Sequence, residues 1–317
     1  MTARFPFPAT PDGWYQVAYG HELAAGSVVP LHYFGRELVA YRGAADGVVR
    51  VLDAYCPHLG AHLGHGGCVE GDDIVCPFHG WRFDGEGRNV DVPYSRRTNG
   101  KARIPVWPVA EANGAVYVWF SAEGGPPTWT VPQVPECDDP DLVWQAGERW
   151  TMRTHVQEVM ENVVDVAHFR FVHGTSGFGG VELEEDGPRL QATAAVTFVT
   201  PRGDVEGAVI SELWGLGIDV VRPTGILRAA ALFTVTPVDD ETVESGYTFL
   251  VPRAKDGEGI SNIGRGLVDD FHKQARQDAP IWEHKLYRPT PALSPDDGPI
   301  MSFRRWSRQF YPEPVPA

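Results

Sequence analysis

Cysteine is scarce: the chain of 317 residues has four, Cys56, Cys68, Cys76 and Cys137. That is too few for a disulfide-built scaffold of this length, so the expected compartment is reducing and cytoplasmic. Cations are also short, with 27 Lys and Arg against 42 Asp and Glu and a net charge of −15. This balance argues against nucleic acid and anionic membranes as partners. No apolar run approaches the roughly 18 residues needed to cross a bilayer. The start "MTARFPFPATPDGWY" lacks the basic and apolar stretches of a secretion leader. There is no G-x-G-x-x-G following a strand, hence no flavin or nicotinamide fingerprint. Internal repeats and low-complexity tails are missing too. What remains is 43% hydrophobic residues, ample for the core of one large domain or two ordinary ones.

The first part reads as β. "SVVPLHYF", "RELVAYRG", "GVVRVLDAYC" and "GAVYVWF" are short Val/Tyr/Phe-rich runs separated by glycine-containing turns. The Pro/Gly-dense stretch 121–141 breaks both periodicities and places a domain boundary at 122/123. Beyond it, Val156, Val159, Met160, Val163, Val164 and Ala167 follow helical spacing, predicting one helix over 156–167. Segments between about 190 and 252 read as strands and 262–279 as a further helix. The acidic "VELEEDG" reads as a solvated turn and the terminal "YPEPVPA" as a loose end.

Two phrases carry chemistry. Cys56-x-His58 is followed, after 17 residues, by Cys76-x-x-His79, and each Cys precedes a Pro. Two such loops offer two thiolates and two imidazoles to one metal site. A closed zinc site takes that donor set; so does a two-iron, two-sulfide cluster in which two His replace two Cys on one iron. The surrounding β-rich run suits the cluster better. The loops resemble the Rieske signature, including the Gly-Trp after His79. By that resemblance Cys56 and Cys76 hold one iron of a [2Fe-2S] cluster, and His58 and His79 the other. Respiratory Rieske proteins place an extra cysteine in each loop; Ala61 and Phe78 stand there, which aligns the chain with the ferredoxin and oxygenase branch.

A Rieske carrier needs only the first third of this chain. In "ENVVDVAHFRFVHGTSG" (161–177), a wheel puts Glu158, Asn162, Asp165 and His168 opposite the aliphatic stripe, where a solvated face is the simple reading. His173 is five residues past His168, so the two share a metal only where the helix distorts or ends. The pattern N-x-x-D-x-x-H-x4-H resembles the mononuclear-iron motif of Rieske non-haem oxygenases, whose two histidines and a later carboxylate form a facial triad. The resemblance makes His168 and His173 iron ligands, Asp165 the acid bridging to a neighbouring subunit's cluster, and Asn162 a residue beside the iron. For the third ligand, Asp278 shares an apolar helical face with Leu267, Phe271 and Ala275, where a carboxylate is costly unless paired or metal-bound. "QARQDAPIW" also resembles the ligand-bearing segment of ketosteroid-hydroxylase oxygenases. Pro280 is expected to end or kink that helix.

"VLDAYCPHLG", "DVPYSRR" and "DGPIMSFRRWSRQFY" add to a resemblance with the 3-ketosteroid 9α-hydroxylase oxygenases and cholesterol 7-desaturases. It implies an α+β fold, with an all-β Rieske domain (1–122) and a helix-grip catalytic domain (123–317) of antiparallel sheet plus helices. The implied activity is oxidation of a bulky apolar ring, a steroid first, by dioxygen at a mononuclear Fe(II). Electrons would come from NAD(P)H through a separate flavin-containing reductase, with or without a ferredoxin, to a homotrimer. The alternatives are a Rieske oxygenase for another natural product or an aromatic, and an electron carrier without oxygenase activity.

Overall fold

Branched and aromatic side chains fit a pleated surface, and the Val/Tyr/Phe runs form strands. The computed structural model describes residues 4–174, 178–200 and 203–312. It contains two compact units: Trp14–Val131, and Met1–Gly13 together with Pro132–Ala317. The division after Val131 lies beyond the expected 122/123. Indole contacts tie the intervening segment to the first unit: Trp14 Nε1 donates to the Trp129 carbonyl at 2.8 Å, and Trp119 meets Trp129 edge-on at 5.7 Å. The N-terminal residues belong to the second unit, where Phe7 packs on His155 at 4.5 Å and Arg4 donates to the carbonyls of Trp282 and Lys285.

The first unit has strands β1 (Gly13–Tyr19), β2 (Val28–Tyr33), β3 (Arg36–Arg42), β4 (Val49–Asp53), β5 (Cys68–Glu70) and β6 (Asp73–Val75). It continues with β7 (Arg82–Phe83), β8 (Asn89–Asp91), β9 (Val106–Trp107), β10 (Val109–Ala112) and β11 (Ala115–Phe120). They form three small sheets, ordered β1-β11-β10, β2-β3-β4-β9 and β5-β6-β7-β8. The core beneath the last two joins Val39, Tyr41, Leu52, Leu63, Ile74, Phe83 and Ile104 to Cys56 and Cys76.

The second unit opens with β12 (Leu142–Met152), then the short helices α1 (Val156–Met160) and α2 (Ala167–Phe171). Strands β13 (Phe178–Asp186), β14 (Arg189–Thr200), β15 (Gly203–Trp214), β16 (Ile218–Thr224), β17 (Ala230–Pro237) and β18 (Val243–Pro252) follow, then α3 (Asn262–His284) and α4 (Ile300–Ser307). The seven strands form one antiparallel sheet in which β13 to β18 run as a meander and β12 closes the far edge beside β18. Helix α3 lies on the sheet, with Val268 buried against Ala231, Phe249 and Val251.

Three expectations change. The helix predicted over 156–167 is broken: α1 ends at Met160, a 3-10 turn covers Glu161–Val163, and α2 begins at Ala167. The wheel face drawn as solvated is therefore not one face. Glu158 and Glu161 are buried and paired, Glu158 with Lys285 at 2.9 Å and Glu161 with Arg304 at 2.6 and 2.9 Å. Pro280 does not end α3, which runs on to His284. "VELEE" lies in edge strand β13 rather than a turn; exposed acids on an edge discourage further strand pairing. Of the expected loose end, residues 313–317 lie outside the described residues.

Candidate metal centres and their cavity

The two Cys-Pro loops are built to one plan. Cys56 N–H donates to the Ala61 carbonyl at 2.9 Å and Gly60 N–H to the Cys56 carbonyl at 2.9 Å. In the second loop, Cys76 N–H donates to the Trp81 carbonyl at 2.8 Å and Gly80 N–H to the Cys76 carbonyl at 3.0 Å. Each loop closes over six residues, with its fifth a glycine at positive φ, 74° for Gly60 and 71° for Gly80, a conformation that side chains resist. The repeat sets the cysteines inward and the histidines at the rim. Cys56 and Cys76 are buried and free of disulfides. His58 and His79 meet edge-on at 4.6 Å, and His58 stacks on Trp81 at 4.4 Å.

The donor chemistry fits a cluster. Nδ1 of both His58 and His79 is buried without a hydrogen-bond partner, an expensive state for an imidazole nitrogen unless a metal takes the lone pair. Burial pushes the Cys56 thiol up to about 11, with the neighbouring Cys76 adding to the rise. Thiolate there calls for a cation to displace the proton. His62 and His65 lie off this pairing: their rings face one another at 4.5 Å, and His62 Nδ1 accepts from Gly64 N–H. Cys68 is exposed, and Cys137 lies in the other unit.

The second unit assembles the other set. His168, His173 and Asp278 present ligand atoms all within 4.8 Å of one another, the one such group of three among the described residues. The end of α2 at Phe171 makes this possible, because a helix continued through His173 would turn it away from His168. The rings meet edge-on at 5.1 Å. Asp278 comes from the buried stripe of α3, shared with Val268, His272, Ala275 and Trp282.

Hydrogen bonds orient both imidazoles. His168 Nδ1 bonds the Asp165 backbone carbonyl, and His173 Nδ1 bonds Gln277 Oε1 at 3.0 Å. A proton on each Nδ1 leaves each Nε2 with its lone pair toward the site, the arrangement that second-shell acceptors impose on metal-binding histidines. His173 Nε2 then faces Asp278 Oδ2 at 3.3 Å, two acceptors that either a shared proton or a bound metal cation reconciles. Burial pulls the His168 pKa down, which favours the neutral ligand form. Burial also acts to lower His173, but its bonds to Asp278 and Gln277 outweigh that and raise it.

Asn162 stands beside the set, with Nδ2 at 3.1 Å from His168 Nε2 and 3.4 Å from Asp278 Oδ2. Asp165 contributes its backbone to His168, while its carboxylate makes no hydrogen bond or ion pair among the described residues. Sequence reasoning passed over Gln277, whose position next to Asp278 carries no pattern of its own. It also passed over Asp219, although an acid alternating with Val221 on a strand is a legible anomaly.

His168, His173 and Asp278 open onto a cavity of about 1150 Å³. One sheet face supplies its wall: Ala192, Ala194 and Val196 of β14, Val209 of β15, Val221 of β16 and Phe233 of β17. Trp282 also lines it, whereas Trp306 is buried elsewhere with its Nε1 on the Gly187 carbonyl. A largely apolar hollow with a few convergent polar groups is the usual form of a small-molecule site, and this one exceeds the roughly 300–1,000 Å³ such sites span.

Residues 13–108 match the family described as Rieske [2Fe-2S] domain, and residues 118–311 the 3-Ketosteroid 9alpha-hydroxylase C-terminal domain. A probable 3-ketosteroid-9-alpha-monooxygenase oxygenase component of Rhodococcus rhodochrous is 32% identical over 94% of this chain and 79% of its own length. A cholesterol 7-desaturase of Hemicentrotus pulcherrimus is 32% identical over 98% of this chain and 71% of its own. Among solved structures, dicamba monooxygenase bound to dicamba superposes with a TM-score of 0.75 at 19% identity, covering 94% of this chain and 96% of that one, which is a likeness of fold. The α+β fold, the [2Fe-2S] cluster and the oxidoreductase class, with electrons supplied by a separate protein, stand on these matches. The chain belongs to the Rieske oxygenase components that carry a 3-ketosteroid 9α-hydroxylase C-terminal domain.

Proposed function

We propose that this chain oxidises a bulky apolar ring substrate, a steroid, by hydroxylation or desaturation. The observation that carries the reading is the convergence of His168, His173 and Asp278 on a large apolar cavity. Cys56 and Cys76 would hold one iron of the cluster and His58 and His79 the other; His168, His173 and Asp278 would hold the mononuclear iron. When bound, the cluster supplies stored electrons and the mononuclear iron a site for dioxygen activation.

The protein's own residues set the conditions. The Asp165 carbonyl and Gln277 fix the two imidazoles as Nε2 donors, Asp278 adds the single negative charge, and the valine and alanine wall excludes water around a ring system. Asn162 offers a donor beside the open side of the set. A flavin-containing reductase, with or without a ferredoxin, passes on NAD(P)H electrons, and three copies form a ring in which Asp165 bridges one subunit's iron site to the next subunit's cluster. The four free cysteines suit the reducing cytoplasm.

Anaerobic protein should contain about three irons and two labile sulfides per chain, with a Rieske-type EPR signal on reduction. A steroid should then stimulate oxygen uptake with a surrogate reductase. Two irons and no uptake, even after Fe(II) is added, would leave an electron carrier and end the oxygenase reading.

A further inference from the structure

Beyond the Tyr247 and Trp282 side chains, the polar groups of the cavity fall into three sets. Asn162, His168, His173 and Asp278 belong to the iron site. Asp270 and Gln274 lie on the open side of α3 and bond each other at 2.7 Å. Asp219, with Ser211 beside it, belongs to neither and stands in the wall itself. Strand alternation puts Asp219 on the face that Val221 and Pro223 share, opposite Phe233 of β17 and Leu213 of β15.

Asp219 is 2% exposed, and its Oδ1 has no hydrogen-bond partner among the described residues. The nearby cation is engaged elsewhere, since Arg222 grips Glu136 through two bonds of 2.7 and 3.2 Å. Burial drives the Asp219 carboxyl up to about 7, against the pull of Ser211 and the Glu212 amide. An unpartnered carboxyl oxygen in an apolar wall destabilises the folded chain unless a ligand completes it.

We propose that Asp219 anchors the substrate by accepting a hydrogen bond from a hydroxyl group, so that the cavity selects a hydroxylated sterol over the corresponding ketone. This rests on the reading that the cavity takes a steroid. A hydroxyl both donates and accepts, and satisfies Oδ1 whether the carboxyl is ionised or protonated. A ketone only accepts, and leaves Oδ1 of the ionised form facing another lone pair. The Ser211 hydroxyl lines the same patch, on the neighbouring strand.

The test is equilibrium dialysis of the holoenzyme against cholestanol and cholestanone, which differ only in the oxygen at one carbon. At pH 9, where a carboxyl raised to about 7 is ionised, the wild type should bind the alcohol roughly ten- to a hundredfold more tightly, the worth of a hydrogen bond to a charged group. Asp219→Leu, close to the same shape, should bring the ratio near one while still binding the ketone; Asp219→Ala reads the same ratio should the leucine variant not fold. Asp219→Asn, which keeps an acceptor oxygen, should retain part of the preference. Equal binding of both by the wild type, or a preference that survives Asp219→Leu, overturns the anchor and leaves the steroid reading standing. Binding of neither compound overturns both.

Discussion

Gln277 shows how much one side chain can decide without touching a substrate. Its Oε1 accepts a hydrogen bond from His173 Nδ1–H at 3.0 Å, and this bond fixes which nitrogen faces Asp278. Replacing it by alanine frees the ring to rotate or to protonate Nε2. Gln277→Ala should weaken Fe(II) binding roughly ten- to a hundredfold, measured by competition with a chelator. The cluster absorbance should stay unchanged, because its loops lie in the other unit. Asp278→Ala removes the proposed carboxylate ligand, and iron should fall from about three to about two per chain. Three irons in the purified variant would mean another carboxylate completes the set. At this scale the sequence was eloquent where a pattern repeats, as in the two Cys-Pro loops, and silent where a lone residue acts. Gln277 sits in no motif, whereas Asp219 shows only as an acid breaking an apolar alternation, and the meaning of both lies in what reaches them from other strands and turns.

At the scale of elements, the stretch 156–171 was legible as helix but not as two helices with a turn between. Aliphatic spacing reports which side is buried, and here the polar side is buried too. Arg304 of α4 and Lys285 past the end of α3 neutralise Glu161 and Glu158, partners more than a hundred residues away that no local period can announce. The Glu161–Arg304 pair pins the turn carrying Asn162. Arg304→Ala leaves Glu161 buried and unpaired and should cost about 3–5 kcal/mol, measured by urea unfolding.

Helix α1 has an uncommon N-cap. His155 Nδ1 accepts from Gln157 N–H at 3.1 Å, while Nε2 bonds the Pro8 carbonyl at 3.0 Å. Complete burial lowers its pKa from 6.5 to about 4. The folded value lies below the unfolded one, so as pH falls the unfolded chain takes the proton first. Stability is full above about pH 6.5 and is lost progressively down to about 4, by about 3 kcal/mol. His155→Asn keeps a cap acceptor but cannot titrate. Its stability deficit against the wild type should shrink between pH 7 and 4 by about that amount; a constant gap would show that His155 does not titrate on unfolding.

For the whole molecule, the cluster loops and the candidate iron ligands occupy separate compact units, so on the proposed reading electrons must pass between centres built independently. The proposed bridging role of Asp165 and its contact with His168 use different atoms. Its backbone carbonyl holds His168, whereas its carboxylate has no partner among the described residues of its own chain. Asp165→Asn therefore separates the two roles: the carbonyl remains, and only the charge is lost. The variant should keep about three irons and a native mass near 105 kDa, three times the 34.9 kDa chain. Its substrate-dependent re-oxidation of the reduced cluster by dioxygen should slow by roughly ten- to a hundredfold, followed by stopped-flow absorbance. Loss of the mononuclear iron instead would make the carboxylate a support for His168, and a native mass near 35 kDa, one chain, in the wild type would remove the neighbour that the bridge requires.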